Sequence, residues 1–434
     1  MYQVESASHA LKYRGLLLAS RLFTAPVSRT VVMLGLTSLF TDMSAEMVST
    51  ILPLYLLFHL NLTPAIFGVV DGLYQGAAAL VRIFGGVAAD RRGHHKEVAL
   101  AGYALSAVTR LGLLAVGNAW TLLAGIVLMD RVGKGIRTAP RDALISLSSR
   151  TEDLGAAFGV HRALDTAGAM IGPLIAFGLL AIAPGAYDAV FVVSLCAALI
   201  GIGVLTLFVH NPPIASAAPG QPRLSLAAAA RLVRVPGLGR LLLTGTALSL
   251  VTVSDAFVYL TLRQRVPFEP KLFPLLYVAT AGIFMLMAVP AGRLADRVGR
   301  VRVFLGGHAL LLVVYASLLV PAGAGETGMA AALRMIGALV LLGAYYAATD
   351  GVLMALAGAA LPPEIRASGM ALITTGTSLG RLAASVAFGA LWTWQGVDVA
   401  VTLSLVGLVA ALVLAVFCLR AREDGTPDVA RTRS

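Results

Sequence analysis

The chain has 434 residues, of which 58% are hydrophobic and 13% charged. A mean hydropathy of +0.86, with about half the charge of an ordinary soluble domain, excludes a water-soluble globule. The net charge of +11 from 33 Lys and Arg would suit nucleic acid, but about 23 of these bases fall on one side of the apolar runs, about 4 on the other and about 6 inside them. That asymmetry orients a membrane protein, so no nucleic-acid partner is expected.

In chain order, the apolar runs predict spans at 30–58, 64–89, 98–117, 119–147, 154–182 and 187–209, then 238–262, 272–292, 301–320, 331–360, 367–394 and 398–420. Each approaches or exceeds the ~20 residues that cross a hydrocarbon core of ~30 Å. Residues 1–29 form a cytoplasmic N-terminal segment with no clean signal-peptide core, and a short interfacial helix is expected there. Two six-helix bundles, 30–209 and 238–420, flank a cytoplasmic loop at 210–237 whose Asn-Pro-Pro and Pro-Gly-Gln-Pro turns suit a tether. Residues 421–434 are a cytoplasmic tail. With both termini inside, a tag near Glu326 is expected outside. Cys196 and Cys418 lie in apolar runs without ligand or disulfide spacing and read as packing residues.

Charged residues inside spans cost ~2.5–3.5 kcal/mol each at a helix centre and must face protein or water. At helical spacing, Ser38, Asp42, Glu46, Ser49 and Pro53 share one stripe of the first span. Asp71, Gln75, Ala78 and Arg82 share one of the second, and Asp130, Lys134, Arg137 and Arg141 one of the fourth, beside Arg131 and Asp142. Asp130 and Lys134, one turn apart, can pair locally. The rest of the basic stripe reads as an inter-helix ion network or as a substrate surface. His161 and Asp165, again one turn apart, read as a proton relay or a solvated gate pair. The second half offers three separate polar stripes, around Asp255, Asp350 and Arg381.

Asp42 and Glu46 are the first candidates for a coupling proton. One turn apart, they lie ~6 Å from each other, and two like charges in apolar surroundings do not ionise together easily. The competing reading salt-bridges both to Arg82 or Arg110. If neither carries the proton, Asp71, Asp130, Asp165 or Asp255 must.

Two short stretches repeat: Gly86-Val-Ala-Ala-Asp90-Arg91-Arg-Gly93 and Gly292-Arg-Leu-Ala-Asp296-Arg297-Val-Gly299-Arg300. Each closes an apolar run and precedes another, as a tight cytoplasmic turn would. The pattern resembles the helix 2–3 signature of the major facilitator superfamily, repeated between helices 8 and 9. Arg131-x-x-x-Gly135 is similar to the fourth-helix signature, whose buried Arg is implicated in proton coupling. Gly159, Gly168, Gly172 and Pro173 resemble the antiporter signature of superfamily exporters, and the spacing itself implies a small-residue groove on a Pro-bent helix against its repeat partner.

The resemblance implies an all-α fold of twelve transmembrane helices in two pseudo-symmetric bundles that rock about a central site. It also implies that Asp90, Arg91, Asp296, Arg297 and Arg300 hold the cytoplasmic side closed. Polar stripes at a repeat interface point to the same midplane cavity. The expected protein is a monomeric secondary transporter of the bacterial inner (plasma) membrane, a proton-coupled antiporter exporting a small organic compound. Its partners are the substrate, protons and the lipid bilayer, with no cofactor beyond the proton gradient and no metal. The rivals are a carrier of an anionic solute, favoured by the fourth-span bases, a metal-ion carrier, and a transport-dead sensor. No nucleotide loop, zinc spacing or nucleophile elbow suggests an enzyme.

Overall fold

Every predicted span but the seventh is one helix in the computed structural model, which describes residues 27–90, 94–117, 119–150, 153–211, 236–266, 268–321, 328–360 and 363–423. The first bundle contains α1 (Arg29–Leu54), α2 (Pro64–Asp90), α3 (His95–Ala115), α4 (Trp120–Leu147), α5 (Leu154–Ile182) and α6 (Tyr187–Phe208). The second contains α7a (Pro236–Leu250), α7b (Asp255–Arg265), α8 (Phe273–Val298), α9 (Arg300–Leu319), α10 (Met329–Ala360), α11 (Pro363–Gln395) and α12 (Val397–Glu423). No strand occurs among the described residues. Ten of these spans are long and apolar enough to cross a bilayer. α4 and α11 fall short of that test, and α4 carries Asp130, Arg131, Lys134, Arg137, Arg141 and Asp142.

Local chemistry sets the ends and bends. Ser28 caps α1 by accepting from Val31 N–H. Pro53, which has no N–H to donate, precedes the loosening of α1 into a π turn at Tyr55–His59. α8 stops at Gly299, whose φ of 110° suits glycine alone. This corrects the expected turn at Gly292–Arg302, because the helix continues to Val298 and Asp296 and Arg297 sit on its last turn. The expected seventh span is also broken: Val251–Ser254 leave the helix, with Val253 N–H donating to Tyr315 Oη and that hydroxyl to Val251 O.

Packing repeats between the halves. α1 lies on α5 and α6, α2 on α4, and α3 on α4 and α6; α7a lies on α11 and α12, α8 on α10, and α9 on α10 and α12. Across the halves α2 meets α11 and α5 meets α8, the two contacts that exchange under the same symmetry. The α2–α11 crossing is very close because Gly68, Gly72 and Gly76 face Leu382, Ser385 and Gly389. A Cβ on Gly72 would stand 2.8 Å from Leu382 O, and one on Gly68 2.5 Å from Ser385 O. Backbone cannot yield as a side chain does, so Gly72→Leu should force the halves apart. The expected outcome is a loss of about 1–3 kcal/mol, seen as a lower melting temperature in detergent, together with weakened transport.

Candidate functional site

A cavity of about 180 Å³ lies between the halves, and α1, α2, α7b and α8 supply its wall: Glu46, Ser49, Asp71, Tyr74, Gln75, Asp255 and Tyr277, with Leu52, Pro53, Phe67 and Ala256. Phe67 of α2 meets Phe257 of α7b edge-on, and Phe257 stacks on toward Phe388 and Trp392 of α11. Ala65 N–H donates to Thr393 Oγ1 at 2.8 Å, and Arg263 covers the Phe58 ring. The halves are thus closed at the end remote from the repeated turns.

Three carboxylates reach this cavity, and each has its own hydrogen-bond donors. Glu46 accepts from Ser49 Oγ at 2.6 Å and Tyr74 Oη at 3.4 Å. Asp71 accepts from Ser385 Oγ at 2.6 Å, a bond that joins the two halves. Asp255, the first residue of α7b, accepts from Tyr346 Oη of α10 at 2.5 Å. Among the described residues no Lys or Arg lines the cavity. The acids are spread over its wall, and among the described residues no three His, Cys, Asp or Glu side chains gather as a metal ion would need.

The expected Asp42–Glu46 pair does not share an environment. Asp42 turns to α4, 3.7 Å from Arg137 and 4.0 Å from Lys134, rather than to Arg110, which pairs with Asp130. Asp130 does not pair with Lys134 either; it receives Arg110 at 3.1 Å and Arg131 on its other oxygen. Arg131 covers the Tyr74 ring at 3.8 Å, and the hydroxyl of that ring donates to Glu46. Arg141 pairs with Asp142 at 2.9 Å and lies 3.8 Å from Asp165. The α4 stripe is therefore an ion network and not a free basic surface. His161 is fully buried with neither ring nitrogen hydrogen-bonded, which fits neither a relay to Asp165 nor a solvated gate.

In the second half, two stripes that read as separate are joined, since Arg381 of α11 reaches Asp350 of α10 at 3.3 Å. Asp255 is likewise not alone, because Tyr346 binds it, while Tyr259 turns away to Thr280. On α5, Gly168 and Gly172 pack on the α1 backbone at Leu39 and Met43, and nothing stands near Gly159. That groove therefore serves the first bundle internally and not a repeat partner across the halves. Pro173 lies within α5. Cys196 is exposed and Cys418 half-buried, so neither is a core packing residue.

Of the repeated turns, Gly86 and Asp90 are helical at the end of α2, while Arg91 and Gly93 lie outside the described residues. The side chain of Arg82 is likewise outside what is described. Asp296 pairs with Arg300 one turn on at 3.1 Å, and Arg300 donates to Ala355 O of α10. Asp90→Asn and Asp296→Asn are expected to reduce flux without impairing insertion, the first more than the second. Unchanged flux in both correctly inserted variants would remove the gating assignment.

Sequence reading missed the glycine face of α2, although Gly68, Gly72 and Gly76 stand at intervals of four, the small-residue signature of close helix contact. It also missed Tyr74 and Tyr277, which only the assembled helices bring to the cavity.

The Major Facilitator Superfamily profile matches residues 34–385 and 275–434. An uncharacterized MFS-type transporter of Methanocaldococcus jannaschii is 28% identical over 375 residues, 84% of this chain and 89% of the relative. An uncharacterized protein of Mycobacterium tuberculosis is 38% identical over 159 residues, 37% of this chain and 38% of that one. Among solved structures, the nucleoside transporter NupG superposes with a TM-score of 0.74 at 16% identity, covering 91% of this chain and 100% of NupG. A POT family transporter in complex with 5-aminolevulinic acid gives 0.73 at 14%, covering 92% and 97%. At such identities the two structures report the fold alone.

Proposed function

The chain belongs to the Major Facilitator Superfamily, an integral membrane protein with a secondary-transporter fold, and on that premise we propose that it is a proton-coupled antiporter exporting a small organic compound. It works as a monomer in the bacterial inner membrane, with both termini cytoplasmic and the proton gradient as driving force.

One observation carries this reading: Asp71 and Asp255 come from different halves and face one cavity whose lining, among the described residues, contains no Lys or Arg. A carboxyl in such a place must be protonated, solvated or paired with a ligand. As the halves rock, each acid meets water from one side and then the other, and proton and substrate exchange at the same groups. Exchange at shared groups is antiport. In a cell whose gradient drives protons inward, antiport exports the substrate. The coupling proton is therefore assigned to Asp71 and Asp255 rather than to the Asp42–Glu46 pair, because Asp42 lies in the α4 ion network and Glu46 is held by Tyr74 and Ser49.

The anion-carrier reading draws no support from the cavity, since the α4 bases are engaged with Asp42, Asp130, Asp142 and Asp165. Purified protein in liposomes with an acidic lumen should accumulate its substrate, and dissipating the pH difference should stop it. Flux at the same rate with and without the gradient would refute proton coupling; no flux of any solute would favour a transport-dead sensor.

A further inference from the structure

We infer that the substrate is a small primary amine, held as its ammonium between Asp71 and Asp255. This rests on reading the central cavity as the transport site.

The sign of the charge comes first. Glu46, Asp71 and Asp255 line the cavity, and among the described residues no Lys or Arg does. Glu46 is the acid nearest to the α4 bases: Arg110 and Arg131 share the single carboxylate of Asp130, and Arg131 lies over the ring of Tyr74, whose hydroxyl donates to Glu46. Asp71 and Asp255 form no ion pair among the described residues, and Arg381, the base that acts on Asp255 from a distance, is itself paired with Asp350. They leave a negative potential in low-dielectric surroundings, where a ligand cation is attracted strongly.

The arrangement favours an organic cation over a bare ion. The carboxylates are not gathered as metal ligands, so a ligand must extend between them. Leu52, Pro53 and Phe67 supply apolar wall for a hydrocarbon body, and Tyr277 a ring face on which an ammonium can rest. The volume bounds the size: about 180 Å³ is below the ~300–1,000 Å³ of pockets for drug-sized ligands, so the cavity suits a small amine rather than a drug-sized one.

The degree of substitution comes from Ser254. It is the N-cap of α7b, yet its side chain makes no capping bond. It is only 8% exposed and lies beside the Asp71 carboxylate, the acceptor toward which its O–H can point, while no donor reaches its Oγ. Buried lone pairs left without a donor are costly, and an N–H donor bound between Asp71 and Asp255 would satisfy them. A primary ammonium has three donors for these three acceptors, whereas a quaternary ammonium has none.

The test is binding to the purified full-length protein in detergent, read by thermal stabilisation and by equilibrium dialysis. The probes are phenethylamine, hexylamine and 1,4-diaminobutane, with phenethyl alcohol, phenylacetate and trimethylphenethylammonium as the neutral, anionic and quaternary counterparts. At least one primary amine should bind saturably, and its counterparts at least about tenfold more weakly. Asp255→Asn and Asp71→Asn should each weaken the amine at least about tenfold, while Asp255→Glu, which keeps the charge, reports that the fold tolerates the position. Ser254→Ala should weaken the primary amine and leave the quaternary probe unmoved. No binding by any of the three amines, or equal binding of the neutral or quaternary counterparts, overturns the inference. Proton-driven flux of a neutral or anionic compound would also overturn it while leaving the antiport reading intact. An amine bound but never moved would overturn it, whereas an amine bound and moved at the same rate with and without a pH difference would uphold it and refute the antiport.

Discussion

Asp255→Asn is expected to abolish pH-driven accumulation, to the level of empty liposomes, while substrate exchange at equal pH stays measurable. Asp255 opens α7b after a break of four residues, held by Tyr315 on one side and by Tyr346 on its own carboxylate. Discontinuous helices of this kind place substrate and coupling-ion sites near the bilayer midplane in transporters. The amide side chain keeps a hydrogen-bond acceptor for Tyr346 but has no titrating proton, so the cavity can still change sides without exchanging one. Accumulation and exchange, measured with one labelled substrate in the same vesicle preparation, separate the two functions. If the variant accumulates substrate at the wild-type rate, Asp255 is not the coupling group.

Asp130→Ala should have the largest effect on stability. Its carboxylate is shared by two guanidinium groups, and the side chains of Arg110 and Arg131 are only 5% and 4% exposed. Removing the shared acid leaves two buried cations without the counter-ion both contact, and breaking a buried ion pair from one side costs about 3–5 kcal/mol. That is a large part of a typical total of about 5–15 kcal/mol. The folded yield in fluorescence-detected size exclusion should collapse. Asp296→Ala is the control, because its carboxylate is 66% exposed and pairs with Arg300 within one helix, an arrangement worth about 0–1 kcal/mol. Equal yields of the two variants would show that the Arg110–Asp130–Arg131 cluster is not a stabilising element.

The contrast between these sites shows which features could be read from the chain. Helices were legible because runs of apolar residues are bounded by turns, and the fifth span, 154–182, agrees with α5 at both ends. The break before Asp255 was not, since Val251-Thr-Val-Ser254 contains neither Gly nor Pro and continues an apolar pattern. Periodicity correctly places Asp42 and Glu46 one turn apart, but it reports one helix at a time. Asp42 meets Arg137 and Glu46 meets Tyr74 only because α4 and α2 pack at different heights of α1. The same holds for Asp350 and Arg381, which were found as two stripes and could be paired only once α10 and α11 were side by side. The glycines of α2 differ, for their spacing was readable and identifies the surface that the halves must separate for the cavity to change sides.

The most direct test follows protons rather than substrate. Vesicles containing the purified protein and a pH-sensitive dye are held at equal pH inside and out, and a transported compound is added outside. Antiport through the Asp71–Asp255 cavity predicts that inward movement of the compound drives protons out, so the lumen becomes alkaline in the wild type and unchanged in Asp255→Asn. Entry of the compound with no change in luminal pH, at the same rate in both proteins, would contradict it.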